Sequence, residues 1–435
     1  MRNMAILVLA SLTLAFTACG NQGVNELLPS QLQPQALLGA PGSLDSSFGT
    51  GGFAIPKGDY SSSLVVQGDG KALILTGSGV RFVQLKLSYL NRLNQNGQPD
   101  LSFGSSGIIE LAGDVGAMAL LCPNGANAYN DWGAACEDPE RALVAVAVTT
   151  KDFPVQRLLK FYRFLPSGQP DPSFGQNGIA TSPSAWFSKI LSMSIQADGK
   201  ILVAGYLLDD TARGYVARLK RNGTPDPTFG TGGLALLPPN QFMVKMVLPQ
   251  SEYPVVLAVS DQPGVNVLRL TDAGLLDLHF GVNGVANLDF GAESRYVSAL
   301  LALDNGRIVV GGPTGLGQLR PDGTPDPSFG VNGRASFPDL NVLSLALDDQ
   351  NRFVADINTL GLGDAVVARF HPNGTLDSSF GTAGLAKVPV IQGSGNFSFK
   401  QIALQHNGQI LAAGDLITTV HLHIPIRVIM ARLSP

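Results

Sequence analysis

Seven times along this 435-residue chain the pattern Asp-x-(Ser/Thr)-Phe-Gly-x-x-Gly returns, with its aspartates at Asp45, Asp100, Asp171, Asp226, Asp277, Asp326 and Asp377. The intervals are 55, 71, 55, 51, 49 and 51 residues, and only His279 departs at the Ser/Thr position. A repeat of that period specifies an architecture before any local propensity is weighed, because each unit has to bury its apolar faces on its neighbours.

Between motifs the same events recur in order. In the third interval Leu191–Ile195 alternates as a strand, Asp198-Gly199 predicts a type I′ hairpin turn, and Lys200–Gly205 is an apolar second strand. Tyr215–Leu219 reads as a third strand, Asn222-Gly223 as a turn, and the motif leads into a fourth strand over Leu234–Leu237. Such a sheet, apolar on both faces, is buried when sheets are set radially. The sequence therefore predicts an all-β propeller over residues 42–435 with seven four-stranded blades. A β-helix has shorter rungs than these units, and tandem Ig-like modules run near 100 residues. The folded part begins with the motif and one strand, Asp45 to Ile55, and its last strand, Arg427 to Leu433, has no motif after it. The two are expected to pair and close the ring, leaving the loops before each first strand and between second and third strands on one face as the favoured binding surface.

The motif, with its Gly-Lys-Ile-Leu-Val-Ala-Gly and Val-Ala-Arg-Leu companions at 199–205 and 216–219, resembles the bacterial delta-60 repeat over essentially all of 42–435. The resemblance implies a propeller-like repeat protein of exported or surface-attached type and implies no reaction. The Lys-Ile-Leu-Val-Ala-Gly strand is also similar to strands of NHL and kelch propellers, which mostly bind partners.

The motif residues read as structural. Phe48, Phe103, Phe174, Phe229, Phe280, Phe329 and Phe380 are spaced to wedge one aromatic between each pair of blades, the first Gly admits a special backbone angle, and the Asp caps a turn. An arginine stands eight residues before the motif Asp at Arg92, Arg163, Arg218, Arg269 and Arg369, with Arg432 in the equivalent place and Gln318 replacing it once. Repetition marks these as interstrand clamps. A ring of calcium sites would need more oxygen ligands than one Asp per unit.

Function is therefore sought where the symmetry breaks: the insertion from Cys122 to Cys136 with Tyr129 and Trp132, the stretch 182–187 with Trp186, and His421-Leu-His423. The two histidines share a strand face, but His279, His371 and His406 supply no evident third ligand, so no metal or cofactor is expected. No His-Glu-x-x-His, Gly-x-Ser-x-Gly or phosphate-loop motif is present, and no catalytic residue is assigned. With a net charge of −4 and no basic cluster, nucleic acid is an unsuitable partner.

Location is written at the start of the chain. Arg2 precedes an apolar run, Met4 to Phe16, that is too short for a permanent span. Residues 1–18 read as a signal peptide, and Phe16-Thr17-Ala18-Cys19 resembles the bacterial lipobox, in which the cysteine is acylated. Gly20 favours the outer membrane or cell surface, and residues 19–41 read as a lipid-anchored tether. Cys122 and Cys136 are expected to form a disulfide in that compartment. The sequence thus predicts a monomeric envelope lipoprotein that binds a protein or glycan without catalysis, with a hydrolase or lyase working at the central channel as the alternative. Metabolic labelling with a palmitate analogue should mark the exported protein and be lost in Cys19→Ala. Label surviving that substitution would overturn the lipid assignment.

Overall fold

The structure is a computed structural model, and it describes residues 39–78, 86–121, 141–149, 157–183, 188–207, 213–239, 241–247, 253–259, 264–291, 294, 297–359, 365–388, 397–417 and 425–435. Cys19, the signal peptide, most of the tether, Cys122, Cys136, Tyr129, Trp132, Trp186, His421 and His423 lie outside the described residues.

Seven four-stranded antiparallel sheets stand in a ring, as the motif count requires, and the protein is a seven-bladed β-propeller. Blades 1 to 6 use strands in chain order, opening with Tyr60–Val66, Asp114–Leu121, Ser188–Ile195, Phe242–Val247, Ala299–Ala302 and Leu340–Leu347. Blade 3 is representative, with later strands Ile201–Leu207, Gly214–Leu219 and Leu234–Leu236. Each first strand touches the first strands of both neighbours, so these strands form the innermost circle. In every blade but the fifth this strand carries a one-residue register shift, a β-bulge such as that between Ile190 and Ser192.

The expected type I′ hairpin turn is replaced by a three-residue turn. Gly199 N–H bonds Gln196 O and Gln196 N–H bonds Lys200 O, both at 2.8 Å, and positive φ is confined to Gly199. The Asp198 carboxylate explains the preference, because its Oδ1 accepts the Lys200 N–H at 2.9 Å and holds an ordinary type I bend before the left-handed glycine.

Alternate residues on each second strand face opposite neighbours. Ile201 and Val203 join a core with blade 2, whereas Leu202 and Ala204 join one with blade 4. The same division gives one apolar core at each of the seven junctions. Blades are therefore held to each other by the apolar faces that a lone sheet would leave wet.

Blade 7 takes Phe397–Leu404, Ile410–Ile417 and Pro425–Leu433 from one end of the described chain and its fourth strand, Phe53–Ala54, from the other. Phe53 pairs with Ala431 and Ala54 with Met430, and Leu44 bridges Leu433. The Asp45 N–H also bonds Arg432 O at 2.8 Å. The expected closure is therefore present. Deleting residues 44–55 should loosen the whole ring, at a cost above about 3 kcal/mol because the buried Arg432 would lose its carboxylate partner. Calorimetry should show a lower melting temperature, and proteolysis should become faster near 427–433. Unchanged melting would show that the closure contributes nothing.

Candidate functional site

The seven motifs build one repeated device. Each aspartate presents Oδ1 to the N–H two residues ahead at 3.0–3.2 Å, and in six copies also to that residue's hydroxyl at 2.6–2.8 Å. His279 keeps the N–H half of this cap, with its ring Nδ1 3.3 Å from Asp277 Oδ1 in place of a hydroxyl. The other oxygen, Oδ2, accepts the Nε of the arginine eight residues earlier at 2.7–2.9 Å in five blades. Arg432 completes the same pair with Asp45 at 2.9 Å across the closure.

Each of these six guanidiniums lies over the motif phenylalanine, 4.3–4.9 Å from the ring centroid. In five of them Nη1 then reaches the next blade. Arg163, Arg218 and Arg269 donate to the carbonyls of Arg221, Asp272 and Pro321 at 2.8, 2.8 and 2.6 Å, and Arg92 and Arg432 donate to those of Pro166 and Gln95. In all seven motifs the N–H of the first glycine also bonds a carbonyl of the next turn at 2.6–3.2 Å. Two glycines are obligatory here. A Cβ on Gly230, at φ +54°, would lie 2.2 Å from Leu234 O, and one on Gly223 would meet the Phe174 ring at 2.8 Å. The phenylalanines do wedge between blades, and the motif is spent on holding the ring.

The sequence reading missed a second cation. Lys71, Arg141, Lys200, Arg307 and Arg352, each opening a second strand, approach Asp100, Asp171, Asp226, Asp326 and Asp377 at 3.2, 3.2, 3.6, 2.7 and 3.4 Å. In three of the five blades the signal lay in Gly-Lys or Gly-Arg after the hairpin turn, at 70–71, 199–200 and 306–307. Where Gln318 replaces the usual arginine, Arg307 makes the closest of these contacts, an ion pair in which Asp326 Oδ2 accepts no hydrogen bond among the described residues.

The symmetry breaks at one mouth of the channel, where first strands begin. Tyr60 donates to Asp114 Oδ1 at 2.8 Å, and Lys86 Nζ pairs with Asp114 Oδ2 at 2.5 Å. Asp415 accepts the N–H and hydroxyl of Ser61 at 2.7 and 2.9 Å and pairs with Lys400, which stands at the bulge of blade 7. Burial raises the Tyr60 phenol well above its usual range, and the negative charges of Asp114, Asp59 and Asp415 add to the effect. It stays protonated and serves as a donor. Asp356 is fully buried with neither oxygen hydrogen-bonded among the described residues. Burial raises its carboxyl well above the ordinary value against the opposing charge of Lys400. Being enclosed, it is not a group that a substrate can reach. Among the described residues no group of three or more His, Cys, Asp or Glu is placed to hold a metal ion.

With this geometry in hand, comparison with known proteins is informative on one point. Residues 196–229, 303–329 and 356–380, each running into a motif, match the profile of a family described as a domain of unknown function (DUF5122) beta-propeller. The chain is a propeller-repeat protein. No curated protein matches it. Among solved structures, the polysaccharide lyase Uly1 is 12% identical with a TM-score of 0.44, over 93% of this chain and 95% of that one. Raptor from Chaetomium thermophilum is 9% identical with a TM-score of 0.48, over 88% and 29%. A gluconolactonase from Xanthomonas campestris is 11% identical with a TM-score of 0.32, over 70% and 84%. Likenesses at this level bear on neither substrate nor partner.

Burial by itself would raise the Asp100 carboxyl, but the Ser102 hydroxyl and N–H, Lys71 and Arg92 together hold it at about 2, and Asp377 is likewise held at about 2. The ordinary value is 3.8, so the stabilisation is complete above about pH 4 and is lost as pH falls toward 2. Asp100→Asn should cost about 3 kcal/mol at pH 7 by leaving Arg92 buried without its carboxylate. Urea midpoints measured from pH 7 to pH 2 should fall less steeply in that variant than in the wild type. Parallel curves would show that the clamp is not the titrating element.

Proposed function

We propose that the protein is an exported lipoprotein, anchored through Cys19, whose delta-60-type propeller serves as a non-catalytic binding or scaffold module for an envelope protein or glycan. One observation carries the reading. The repeated polar groups are consumed by contacts between blades, whereas Tyr60, Lys86, Asp114, Lys400 and Asp415 break the repeat and gather at one channel mouth. Alternating donors and carboxylates on a rigid rim suit a ligand rich in hydroxyls or amides, because every group keeps a fixed direction without ordering cost on binding. Each carboxylate there is already paired with a cation or a hydroxyl, which fits recognition better than proton transfer.

A second reading, an envelope hydrolase or lyase, is favoured by one fact: Tyr60, Asp114 and Asp415 from three blades converge at one mouth. The experiment separates the two. Mature protein immobilised against solubilised envelope should capture a glycan or protein ligand, and Tyr60→Phe with Asp114→Asn should weaken capture at least tenfold with melting unchanged. Undiminished capture would remove the mouth from the binding site. Turnover of an envelope glycan or a lactone by the wild type, abolished in the double variant, would replace the binding reading with the enzymatic one.

A further inference from the structure

Eight large hydrophobic side chains are exposed among the described residues: Ile55, Leu101, Leu236, Tyr253, Leu275, Leu278, Val282 and Val331. Leu101, Leu275, Leu278, Val282 and Val331 all lie on connections between third and fourth strands, and Tyr253 closes the connection from the first strand to the second in blade 4. In an antiparallel meander these two kinds of connection emerge on the same face. Six of the eight therefore share the face opposite the Tyr60 mouth.

The exposed side chains concentrate on two adjacent blades. Leu275, Leu278 and Val282 in blade 4 are 65, 67 and 77% exposed, and Val331 in blade 5 is 77% exposed. The fold does not ask for them. The position of Leu275 is Ser43, Gln98, Gln169, Thr224, Thr324 and Thr375 in the other blades. That of Val282 and Val331 is Thr50, Ser105, Gln176, Thr231 and Thr382. Leu278 stands where the other blades carry Ser46, Leu101, Pro172, Pro227, Pro327 and Ser378, so it adds to the patch without departing from its siblings. Aliphatic groups held in water at positions 275, 282 and 331, where five or six sibling turns are polar, mark a surface that meets something apolar.

We propose that this face is seated on a lipid bilayer, with Leu275, Leu278, Val282 and Val331 entering its interfacial layer. The tether it relies on is the lipid-anchor reading given above. Two observations select a membrane over a protein partner. Pro41 to Ser43 occupy the place of a turn between third and fourth strands in blade 7, so the chain from Cys19 joins the ring on this same face. Twenty residue steps separate Cys19 from Gly39, a length that as random coil would span about 25 Å and keep the face at the bilayer. The side chains also stand singly on tight turns and are aliphatic, whereas protein interfaces centre on Trp, Tyr or Arg set in pockets. Tyr253, at the margin of the group, is of the type enriched at membrane–water boundaries. The seating turns the Tyr60 mouth away from the membrane, toward soluble ligands.

The test uses the acylated full chain in vesicles of phosphatidylethanolamine and phosphatidylglycerol, with Cys122→Ser and Cys136→Ser, and an environment-sensitive fluorophore on a single introduced cysteine. Val282→Cys should give blue-shifted emission quenched by spin-labelled lipid, and Asn358→Cys, on the opposite face, should give neither. Equal signals at both positions would overturn the proposal. Replacing Leu275, Leu278, Val282 and Val331 with Ser should leave melting unchanged and reduce flotation of the anchorless Cys19→Ala protein with added vesicles at least fivefold. Unchanged flotation would overturn the proposal, as would a dimer in sedimentation that this variant dissolves, since a second copy would then be the occupant. Quenching at residue 282 by added vesicles in a labelled Val282→Cys chain that keeps Cys19 yet takes up no palmitate label would sink the anchor and leave the surface standing.

Discussion

An arginine guanidinium pressed between a phenylalanine ring and an aspartate, with its remaining nitrogen on the next blade's backbone, is the contact on which this ring depends. Apolar burial between blades supplies most of the driving force, but it is non-directional and would tolerate blades that slide against one another. The clamp is directional. Arg218 is only 1% exposed and is fixed at once to Asp226, to the Phe229 face and to the carbonyl of Asp272. A buried ion pair adds little net stability relative to an apolar substitute, yet removing one member is costly. Its contribution is to fix how one blade meets the next, which it does at five of the seven junctions.

Much of this was legible because the device is local in sequence. Asp226 caps Thr228 two residues away and takes Arg218 from eight residues back, so periodicity alone exposed both partners. Closure was legible for the same reason, since an unpaired fourth strand at one end and a missing one at the other define a single solution. The hairpin type was misjudged because the Asp198 side chain bonds the Lys200 N–H, a local contact that Asp-Gly as a dipeptide does not disclose. The channel mouth was not legible at all. Tyr60, Asp114 and Asp415 belong to blades 1, 2 and 7, and Ser61 and Asp415 are 354 residues apart in sequence. Only the ring brings them together.

The two faces divide the labour. The face formed by the turns between third and fourth strands carries the motif, the clamps and six exposed hydrophobic groups, while the opposite end carries the charged groups that break the repeat. Rigidity links them, because a side chain at the mouth can be preorganised only if its blade cannot tilt. In that sense the clamp serves binding without touching a ligand. Lys400 shows the same economy: its ammonium holds Asp415, which in turn fixes the backbone and hydroxyl of Ser61 next to Tyr60.

The closure also bears on where function gathers. In blades 1 to 6 the turn between third and fourth strands is continuous, but in blade 7 it is rebuilt from two segments, with Gly42 N–H on Ser434 O at 2.9 Å and Ser434 N–H on Ser43 O at 2.8 Å. Gly42 fills the role of Gly223, since its place beside Phe380 leaves no room for a side chain. Arg369 there lines a cavity of about 200 Å³ between blades 6 and 7, together with Asp348, Arg352 and Pro435. At the same junction, nearer the mouth, stand Asp356 and Lys400. Both Asp356 oxygens are buried without hydrogen-bond partners among the described residues. The equivalent places in blades 2, 3 and 7 carry Ala145, Ala204 and Ala413, so stability alone would not put a carboxyl there. A carboxyl kept in that place, acted on by Lys400 of the next blade, is what a ring would show if the sector containing its seam were also the sector shaped for a ligand.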